Sequence, residues 1–295
     1  MPTISPAGAT IPGVTHHLTD VNGAQLHYVS AGSTGSPILL VHGWPETWWA
    51  FRKLIPLLAG THRVFAVDLR GFGDSSHADG EYDAATSAED LAELVDHLGV
   101  GPVHLLCQDI SGGLGFRFAA THPEDIRSFI AVETTLAGFG LERLADVNHG
   151  GSWYVGFLGA PGIPELLLAG HERELLTTWA YPLFTAVAGS VTDADIDEFT
   201  RTYAGPHGWR GTAGLYQSIF SDGGDTKALA ETQPLAMPVL TVEAVSPVTE
   251  QTFRRVASGE VTAVRLERVG HLVAQEAPSA LSAAVLDFVD RVGNG

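Results

Sequence analysis

One segment in the first half of the chain restricts the fold more than any other. Residues 102–113 join an apolar run of strand length to a stretch of small residues, a pattern that predicts a buried strand, a sharp turn and a helix. Asp109 stands at the tip of this turn, and the small residues Cys107, Ser111 and Gly112 satisfy the steric demand of so tight a bend. The segment therefore predicts an α/β sheet from whose upper edge the Asp109 carboxylate projects.

The chemistry of such a turn depends on its tip residue. A carboxylate can attack a saturated carbon and form an alkyl ester, which suits epoxides and alkyl halides better than ordinary esters or peptides. A nucleophile at Ser111 would put Asp109 where a small residue belongs, and the motif Gly-x-Ser-x-Gly is absent from the sequence. Cys107 would lie inside the strand, so we interpret it as a small buried residue. Asp109 is therefore the predicted nucleophile.

Apolar stretches of strand length alternate with helical patterns along most of the chain. Strands are also predicted at 25–30, 37–41, 63–68, 127–132, 238–242 and 261–269. Helices are predicted at 49–58, at 87–98 (where Ser87 and Asp90 resemble a capping box), after Asp109 to about Thr121, and at 278–292. Fully apolar strands between helices are typical of a mostly parallel sheet covered by helices on both faces.

The alternation stops between Thr134 and about Ser221. This stretch has helical patterns but no convincing core strand. Ligands of open α/β sheets bind beyond the carboxyl ends of the strands, where an inserted helical layer would cover the site and exclude water. We therefore predict a core domain of residues 1–133 and 221–295 and a helical cap of residues 134–220.

The composition argues against several kinds of partner. The formal charge of −18 opposes binding to nucleic acids and to anionic membranes. No apolar run is long enough to span a bilayer, and the first residues lack the basic start and apolar core of a secretory signal. A single cysteine fits a reducing compartment, so we expect a cytoplasmic protein. The oligomeric state is left open, and a homo-oligomer is compatible with the sequence.

Three motifs accompany the Asp109 turn. They are His42-Gly43-Trp44-Pro45-Glu46-Thr47, Asp68-Leu69-Arg70-Gly71-Phe72-Gly73-Asp74-Ser75 and Gly270-His271. With them the chain resembles the epoxide hydrolases of the α/β-hydrolase fold over nearly its whole length. The second motif is shared by many α/β hydrolases, whereas the first is much more specific when the nucleophile is an aspartate. The resemblance implies the α/β-hydrolase fold, with a mostly parallel central sheet flanked by helices and an inserted helical cap.

His271 is the candidate base. Among 13 histidines it alone follows a predicted strand through a glycine and precedes a terminal helix, and it comes after Asp109 in the chain. The resemblance implies that His271 activates the water that hydrolyses the ester, since a carboxylate nucleophile itself needs no base. It also implies an oxyanion hole formed by the backbone N–H groups of Trp44 and Ile110, with a cis bond between Trp44 and Pro45.

The acid that orients His271 has two candidates. In many epoxide hydrolases it follows the strand predicted here at 238–242, but that position holds Val245. Some dehalogenases and bacterial epoxide hydrolases have a glutamate after the preceding strand, which corresponds to Glu133 in this chain. We favour Glu133, and Glu243 is the alternative.

Opening of an epoxide ring creates an alkoxide that needs a proton or strong hydrogen bonds. The resemblance implies two cap tyrosines for this role, and Tyr154 and Tyr216 match them by local pattern. Tyr203 and Tyr181 are the alternatives. Side chains suited to bind an apolar substrate are Trp44, Trp153 and Phe157. The expected substrates are an apolar epoxide and water, the product is a vicinal diol, and no metal or organic cofactor is required.

Other functions are left open. Haloalkane dehalogenases typically carry tryptophan directly after the nucleophile, where this chain has Ile110, although the Trp44 indole would supply one halide donor. Fluoroacetate dehalogenases place arginines just after the nucleophile, whereas Ile110 and Gly113 occupy that turn and Arg117 lies further along the helix. A non-catalytic binding protein of the same fold is less favoured, because each catalytic position has a chemically competent residue apart from the displaced acid.

Overall fold

An eight-stranded sheet forms the centre of the computed structural model, which describes residues 3–76, 80–245 and 248–293. The strands are β1 (Thr15–Val21), β2 (Ala24–Ala31), β3 (Pro37–Val41), β4 (Arg63–Val67), β5 (Val103–Gln108), β6 (Ile126–Val132), β7 (Val239–Glu243) and β8 (Val261–Arg265). Their spatial order is β1-β2-β4-β3-β5-β6-β7-β8. The pairs β1–β2 and β2–β4 are antiparallel and the other five are parallel.

Helices flank this sheet, as predicted. They are α1 (Ile55–Leu58), α2 (Ala84–Leu98), α3 (Ser111–Thr121), α4 (Trp153–Leu158), α5 (Ile163–Leu168), α6 (Glu172–Leu175), α7 (Tyr181–Phe184), α8 (Asp193–Tyr203), α9 (Arg210–Ser221), α10 (Gly223–Thr232), α11 (Val248–Val256), α12 (Val273–Glu276) and α13 (Pro278–Gly293). A π-helical turn (Leu176–Ala180) joins α6 to α7. The predicted α/β-hydrolase architecture, a mostly parallel sheet between helices, is confirmed.

The middle strands of the sheet explain where a site can form. Every residue of β3, β5 and β7 is buried, because the apolar side chains of these strands are covered on both faces. The carboxyl ends of β3, β5 and β6 lie side by side, with Val41 opposite Cys107 and Gln108 opposite Val132. The loops that leave these three strands therefore meet at one edge of the sheet.

Two predicted helices differ from the structure, one because it is divided and one because it begins earlier. The predicted helix 49–58 is divided into a 3-10 turn (Trp48–Phe51) and α1, whose first turn contains Pro56, which lacks the N–H that a continuous helix would need. The predicted helix 87–98 begins three residues earlier, at Ala84. Its N-cap is Asp83, whose side chain accepts a hydrogen bond from the Thr86 N–H at 2.7 Å, so the expected capping box was wrong.

Two strands also differ from the prediction. The strand predicted at 261–269 ends at Arg265, and Arg268 has a left-handed φ of +60° that no strand accommodates. Strand β1 was not predicted, because its two histidines weaken the apolar pattern. Both histidines are nevertheless buried: His16 bonds to His27 at 2.9 Å and His17 to Ser30 at 2.8 Å.

The chain between β6 and β7 is the segment in which a helical cap was predicted. All of its residues are described, and they form helices α4 to α10 and short helical turns without a strand. That residues 134–220 form a separate cap domain stays a prediction. Across the described part of the chain, no helix combines the length and apolar character that a membrane span needs.

Candidate active site

The turn after β5 has the backbone of a nucleophile elbow. Asp109 adopts a left-handed φ of +57°, and its N–H donates to the Val132 carbonyl oxygen at 3.0 Å. A Cβ at Gly43 would lie 2.5 Å from the Asp109 Cβ, and one at Gly112 would lie 2.1 Å from the Thr134 Oγ1. The predicted need for small residues is therefore met at Gly112, and Gly43 lets the neighbouring loop approach Asp109.

The loop after β3 provides a donor to Asp109. The Trp44 N–H donates to Asp109 Oδ2 at 2.9 Å, and the Trp44–Pro45 peptide bond is cis. Ile110 follows Asp109 directly and stands at the start of α3, with its side chain buried. The backbone N–H groups of Trp44 and Ile110 therefore belong to the two loops that meet at the Asp109 side chain.

His271 lies between two carboxylates. Its Nε2 is 3.2 Å from Asp109 Oδ1 and its Nδ1 is 3.3 Å from Glu133 Oε2. Burial lowers the pKa of His271, but the hydrogen bonds and charges of Asp109 and Glu133 outweigh burial and raise this pKa to about 10. The ring between them is therefore a charged imidazolium at neutral pH.

The two candidates for the orienting acid have different environments. Glu133, at a φ of +47° after β6, accepts hydrogen bonds through Oε1 from the N–H groups of Ala244 (2.5 Å) and Val245 (3.2 Å). Its Oε2 then faces His271. Glu243 instead accepts from the Glu250 N–H at 2.6 Å and lies 3.9 Å from Arg265. The geometry therefore places Glu133, rather than Glu243, against His271.

Seven aromatic side chains form a cluster beside Asp109 and His271. This aromatic cluster consists of Trp44, Trp153, Tyr154, Phe157, Trp179, Phe184 and Tyr216. The Trp44 ring lies nearly parallel to that of Tyr154 at 6.0 Å and edge-on to that of Tyr216 at 5.8 Å. Burial, and then the charge of Asp109, raise the pKa of both tyrosines above the ordinary value. The two predicted tyrosines are thus neighbours, with ring centroids 6.4 Å apart, and the charge of Asp109 acts on both.

The rest of the cluster extends outward from this pair. Trp153 is its outermost member, with 54% of its surface exposed, and Phe157 contacts it at 5.7 Å. Trp179 and Phe184, whose apolar side chains in the helical stretch also favour an apolar pocket, belong to the same cluster. Trp179 contacts Tyr154 at 5.1 Å and Phe184 contacts the His271 ring at 5.6 Å between ring centroids.

The two alternative tyrosines belong to other parts of the helical segment. Tyr203 packs against Trp209 at 4.8 Å between ring centroids, and Tyr181 packs against Phe199 at 5.8 Å. Both are buried, and neither ring pairs with the aromatic cluster among the described residues.

Groups that could hold a metal lie elsewhere. In the described ranges, His27, Asp68 and Asp74 form one such group and His122, Glu124 and Asp125 another. His27 already bonds Asp68 at 2.7 Å, and Asp68 accepts the Trp48 N–H at 2.7 Å, so the first group has a structural role.

Comparison with known proteins identifies the family. The family described as alpha/beta hydrolase fold matches residues 36–151. A soluble epoxide hydrolase from a Corynebacterium species is 31% identical, over 93% of this chain and 97% of the relative. The chain belongs to the epoxide hydrolase family of α/β hydrolases. Epoxide hydrolase 4 of Mus musculus is 27% identical, over 68% of this chain and 58% of that protein.

Solved structures of similar shape cover nearly the whole chain. Wild-type Cfl2 of Burkholderia cenocepacia has a TM-score of 0.85 at 31% identity, over 96% of this chain and 99% of that one. The epoxide hydrolase CorEH has a TM-score of 0.76 at 26% identity, over 95% of this chain and 99% of that one. Membership of the epoxide hydrolase family supports hydrolysis of epoxides by an α/β hydrolase.

This epoxide hydrolase family member also has a buried carboxyl group that was not predicted as a site residue. Glu46 accepts hydrogen bonds from the side chains of Gln108 (2.8 Å) and Gln275 (2.7 Å), which stand close to Asp109 and His271 in the chain. Burial raises the pKa of Glu46 to about 7, and the charge of Asp109 adds to this effect. The sequence feature that could have identified Glu46 is its position in the His-Gly-Trp-Pro-Glu motif.

Proposed function

We propose that this protein converts an apolar epoxide and water into a vicinal diol through a covalent alkyl ester on Asp109. The observation that carries the proposal is the hydrogen-bonded line from Asp109 through His271 to Glu133, with Tyr154 and Tyr216 close by. Family membership supports the choice of an epoxide as substrate.

Ring opening is the first step of the proposed reaction. Asp109 attacks one ring carbon, so that a carbon–oxygen bond of the ring breaks as the ester bond forms. Tyr154 and Tyr216 donate hydrogen bonds to the ring oxygen, and one of them gives its proton to the departing alkoxide. The raised pKa of both phenols supports this role, because each remains a donor at neutral pH until a stronger base develops beside it.

Hydrolysis of the ester is the second step. The proton of the His271 imidazolium first passes to the tyrosinate that ring opening leaves. The neutral ring then takes a proton from water, and the hydroxide attacks the carbonyl carbon of the Asp109 ester. Esterification removes the charge of Asp109, whose hydrogen bond is the largest contribution that raises the pKa of His271. The pKa of His271 therefore falls at the step that needs a base, while Glu133 continues to orient the ring.

The oxyanion formed in the second step needs donors. We assign this role to the N–H groups of Trp44 and Ile110, which would each contribute roughly 3 kcal/mol in the transition state. The bond from Trp44 to Asp109 Oδ2 supports the assignment, because that oxygen becomes the carbonyl oxygen of the ester when Oδ1 attacks. Collapse of the tetrahedral species breaks the bond between the acyl carbon and the alkyl oxygen. The proton of the added hydroxyl group passes to that oxygen, which restores the Asp109 carboxylate and releases the diol, and His271 keeps the proton from water as in the resting state.

The aromatic cluster supports an apolar substrate. Trp44 lies closest to Asp109, and Trp153 and Phe157 form the part of the cluster nearest to solvent. Aromatic side chains in such a site bind apolar surface and leave few polar groups to fix orientation. We propose that the substrate passes Trp153 and Phe157 and binds against Trp44.

Haloalkane dehalogenation is the second candidate function. It is favoured by the Trp44 indole Nε1, which is buried and makes no hydrogen bond to any described residue. A free indole N–H is the weak donor that a departing halide accepts. Ile110 argues against this function, since it replaces the tryptophan expected there in dehalogenases.

Paired substrates distinguish the two functions. We expect the purified protein to release diol from a panel of apolar epoxides and no halide from matched alkyl chlorides and bromides, because its donors are suited to an alkoxide. Product formation would be followed by chromatography for diols and by ion detection for halide. Halide release as the main activity would overturn the proposal in favour of dehalogenation.

The tyrosines provide a sharper test. We expect Tyr154→Phe and Tyr216→Phe each to lower kcat/KM for an epoxide at least tenfold, a loss of about 1.4 kcal/mol or more in the transition state, because each removes a donor to the alkoxide. Tyr203→Phe is the comparison variant, because Tyr203 is the alternative candidate and its ring packs against Trp209 rather than within the aromatic cluster. A large loss in Tyr203→Phe with none in the other two would contradict the assignment.

A further inference from the structure

We infer that Glu276 is a positioning residue that holds His271 in place against the helical segment between β6 and β7. The inference rests on the proposed function, since it assigns a role in the hydrolysis of the ester. Glu276 stands at the end of α12, five residues after His271, and is buried. No step of the mechanism above uses its carboxylate.

The carboxylate of Glu276 accepts four backbone hydrogen bonds. Two come from the residues on either side of His271: Gly270 at 3.1 Å and Leu272 at 3.2 Å. Two come from the chain just beyond α7: Ala186 at 2.6 Å and Val187 at 2.8 Å. One side chain therefore joins the backbone around His271 to the segment that carries Phe184.

Further contacts hold the backbone around His271 against the segment that carries Phe184. The His271 N–H donates to the Phe184 carbonyl oxygen at 2.8 Å, and the Phe184 ring lies 5.6 Å from the His271 ring. A Cβ at Gly270 would lie 2.6 Å from Glu276 Oε1 and 2.7 Å from the Ala186 nitrogen. The backbone of Gly270 and His271 is thus enclosed by Phe184, Ala186 and Glu276.

The position of the His271 ring depends on these backbone contacts. Its ring nitrogens stand 3.2 Å from Asp109 and 3.3 Å from Glu133, so a backbone shift of about 1 Å would break one contact or the other. Asp109 has two contacts that do not involve His271 or Glu276, because the Trp44 N–H donates to its carboxylate and its own N–H donates to Val132. Loss of Glu276 should therefore impair the step that needs His271 more than the step that needs Asp109.

The test replaces Glu276 with glutamine. Both carboxylate oxygens accept N–H groups, so the amide of Glu276→Gln would turn a donor toward at least one of them. Glu172→Gln is the matched control, because Glu172 is also buried and accepts a backbone N–H, from Gly170 at 3.0 Å, away from the site. Glu276→Asp keeps the charge and provides a second variant should the glutamine protein fail to fold.

Rapid quenching with a labelled epoxide separates the two steps. We expect Glu276→Gln to slow hydrolysis of the ester at least tenfold, to leave alkylation within about threefold, and to accumulate label on the peptide that contains Asp109. Glu276→Asp should show the same selectivity for the second step, and Glu172→Gln should match the wild-type protein.

Two results would overturn the inference. One is an equal loss in both steps, which marks a merely structural residue, and the other is unchanged hydrolysis in Glu276→Gln. A wild-type protein that forms neither ester nor diol would instead overturn the proposed function, so the two failures are distinguishable.

Discussion

Asp109→Ala is expected to reduce turnover of any epoxide roughly ten-thousand-fold or more, because it removes the atom that forms the ester. No described neighbour can replace this nucleophile. Glu46 is fully buried between two glutamine side chains, and the Glu133 carboxylate is occupied by Ala244, Val245 and His271. The loss should persist at every substrate concentration, since it affects the chemical step rather than binding.

The same variant tests the electrostatics of the site. The hydrogen bond to Asp109 is the largest contribution that raises the pKa of His271, so this pKa should fall well below about 10 in Asp109→Ala. NMR titration of the ring would measure the change. Asp125→Ala, a substitution at a half-buried turn after α3, is the control and should alter neither turnover nor the His271 pKa.

Two changes lower the stability of this variant. Alanine at a φ of +57° costs about 1 kcal/mol more than in an ordinary conformation, and aspartate tolerates this region better. The contact between the Asp109 carboxylate and the charged His271 ring is also lost. We therefore expect a lower melting temperature in a protein that is still folded at the temperature of the assay, so that unfolding does not explain the lost turnover. Residual turnover above a few per cent in folded Asp109→Ala, or label recovered on a different residue, would show that Asp109 is not the nucleophile.

The parts of the molecule that could be predicted from sequence are those with a local cause. The bend at Asp109 requires small residues within three positions, and the apolar runs before it and before His42 are continuous in the chain. These patterns are sufficient for seven of the eight strands and for helices α2, α3 and α13, apart from boundary shifts of a few residues. Strand β1 was missed because its histidines are buried by contacts with β2, which no local pattern records.

The site residues that were missed, or left open, depend on contacts between distant parts of the chain. Glu133 follows β6 and Glu243 ends the neighbouring strand β7, and their contacts differ because Ala244 and Val245 turn their N–H groups toward Glu133. Glu276 lies just before the predicted helix 278–292 without a motif to mark it, and its contacts form only when residues about ninety positions away are brought beside it. Long-range placement of this kind depends on how the helical segment packs on the sheet.

His271→Gln is expected to stop the reaction after the alkyl ester on Asp109 has formed. Alkylation of Asp109 needs no base, so one equivalent of label should be retained per protein, while steady-state turnover falls by roughly a hundred- to ten-thousand-fold. The measurement is mass spectrometry of the intact protein and of the peptide that contains Asp109. Glutamine keeps a polar group between Asp109 and Glu133, which limits the disturbance to the fold.

The pH dependence of stability provides an independent check on the same variant. The folded pKa of His271, about 10, lies above its ordinary value of 6.5, so the charged ring stabilises the folded state fully below pH 6.5. That contribution is lost as the pH rises from 6.5 through 10, and His271→Gln lacks it at every pH. We therefore expect the difference in free energy of unfolding between wild type and variant to be largest near pH 6 and to diminish toward pH 10. A difference that stays constant over this range would mean that His271 is not charged between Asp109 and Glu133. The proposal that esterification of Asp109 lowers the pKa of His271 and so makes it a base would then be wrong.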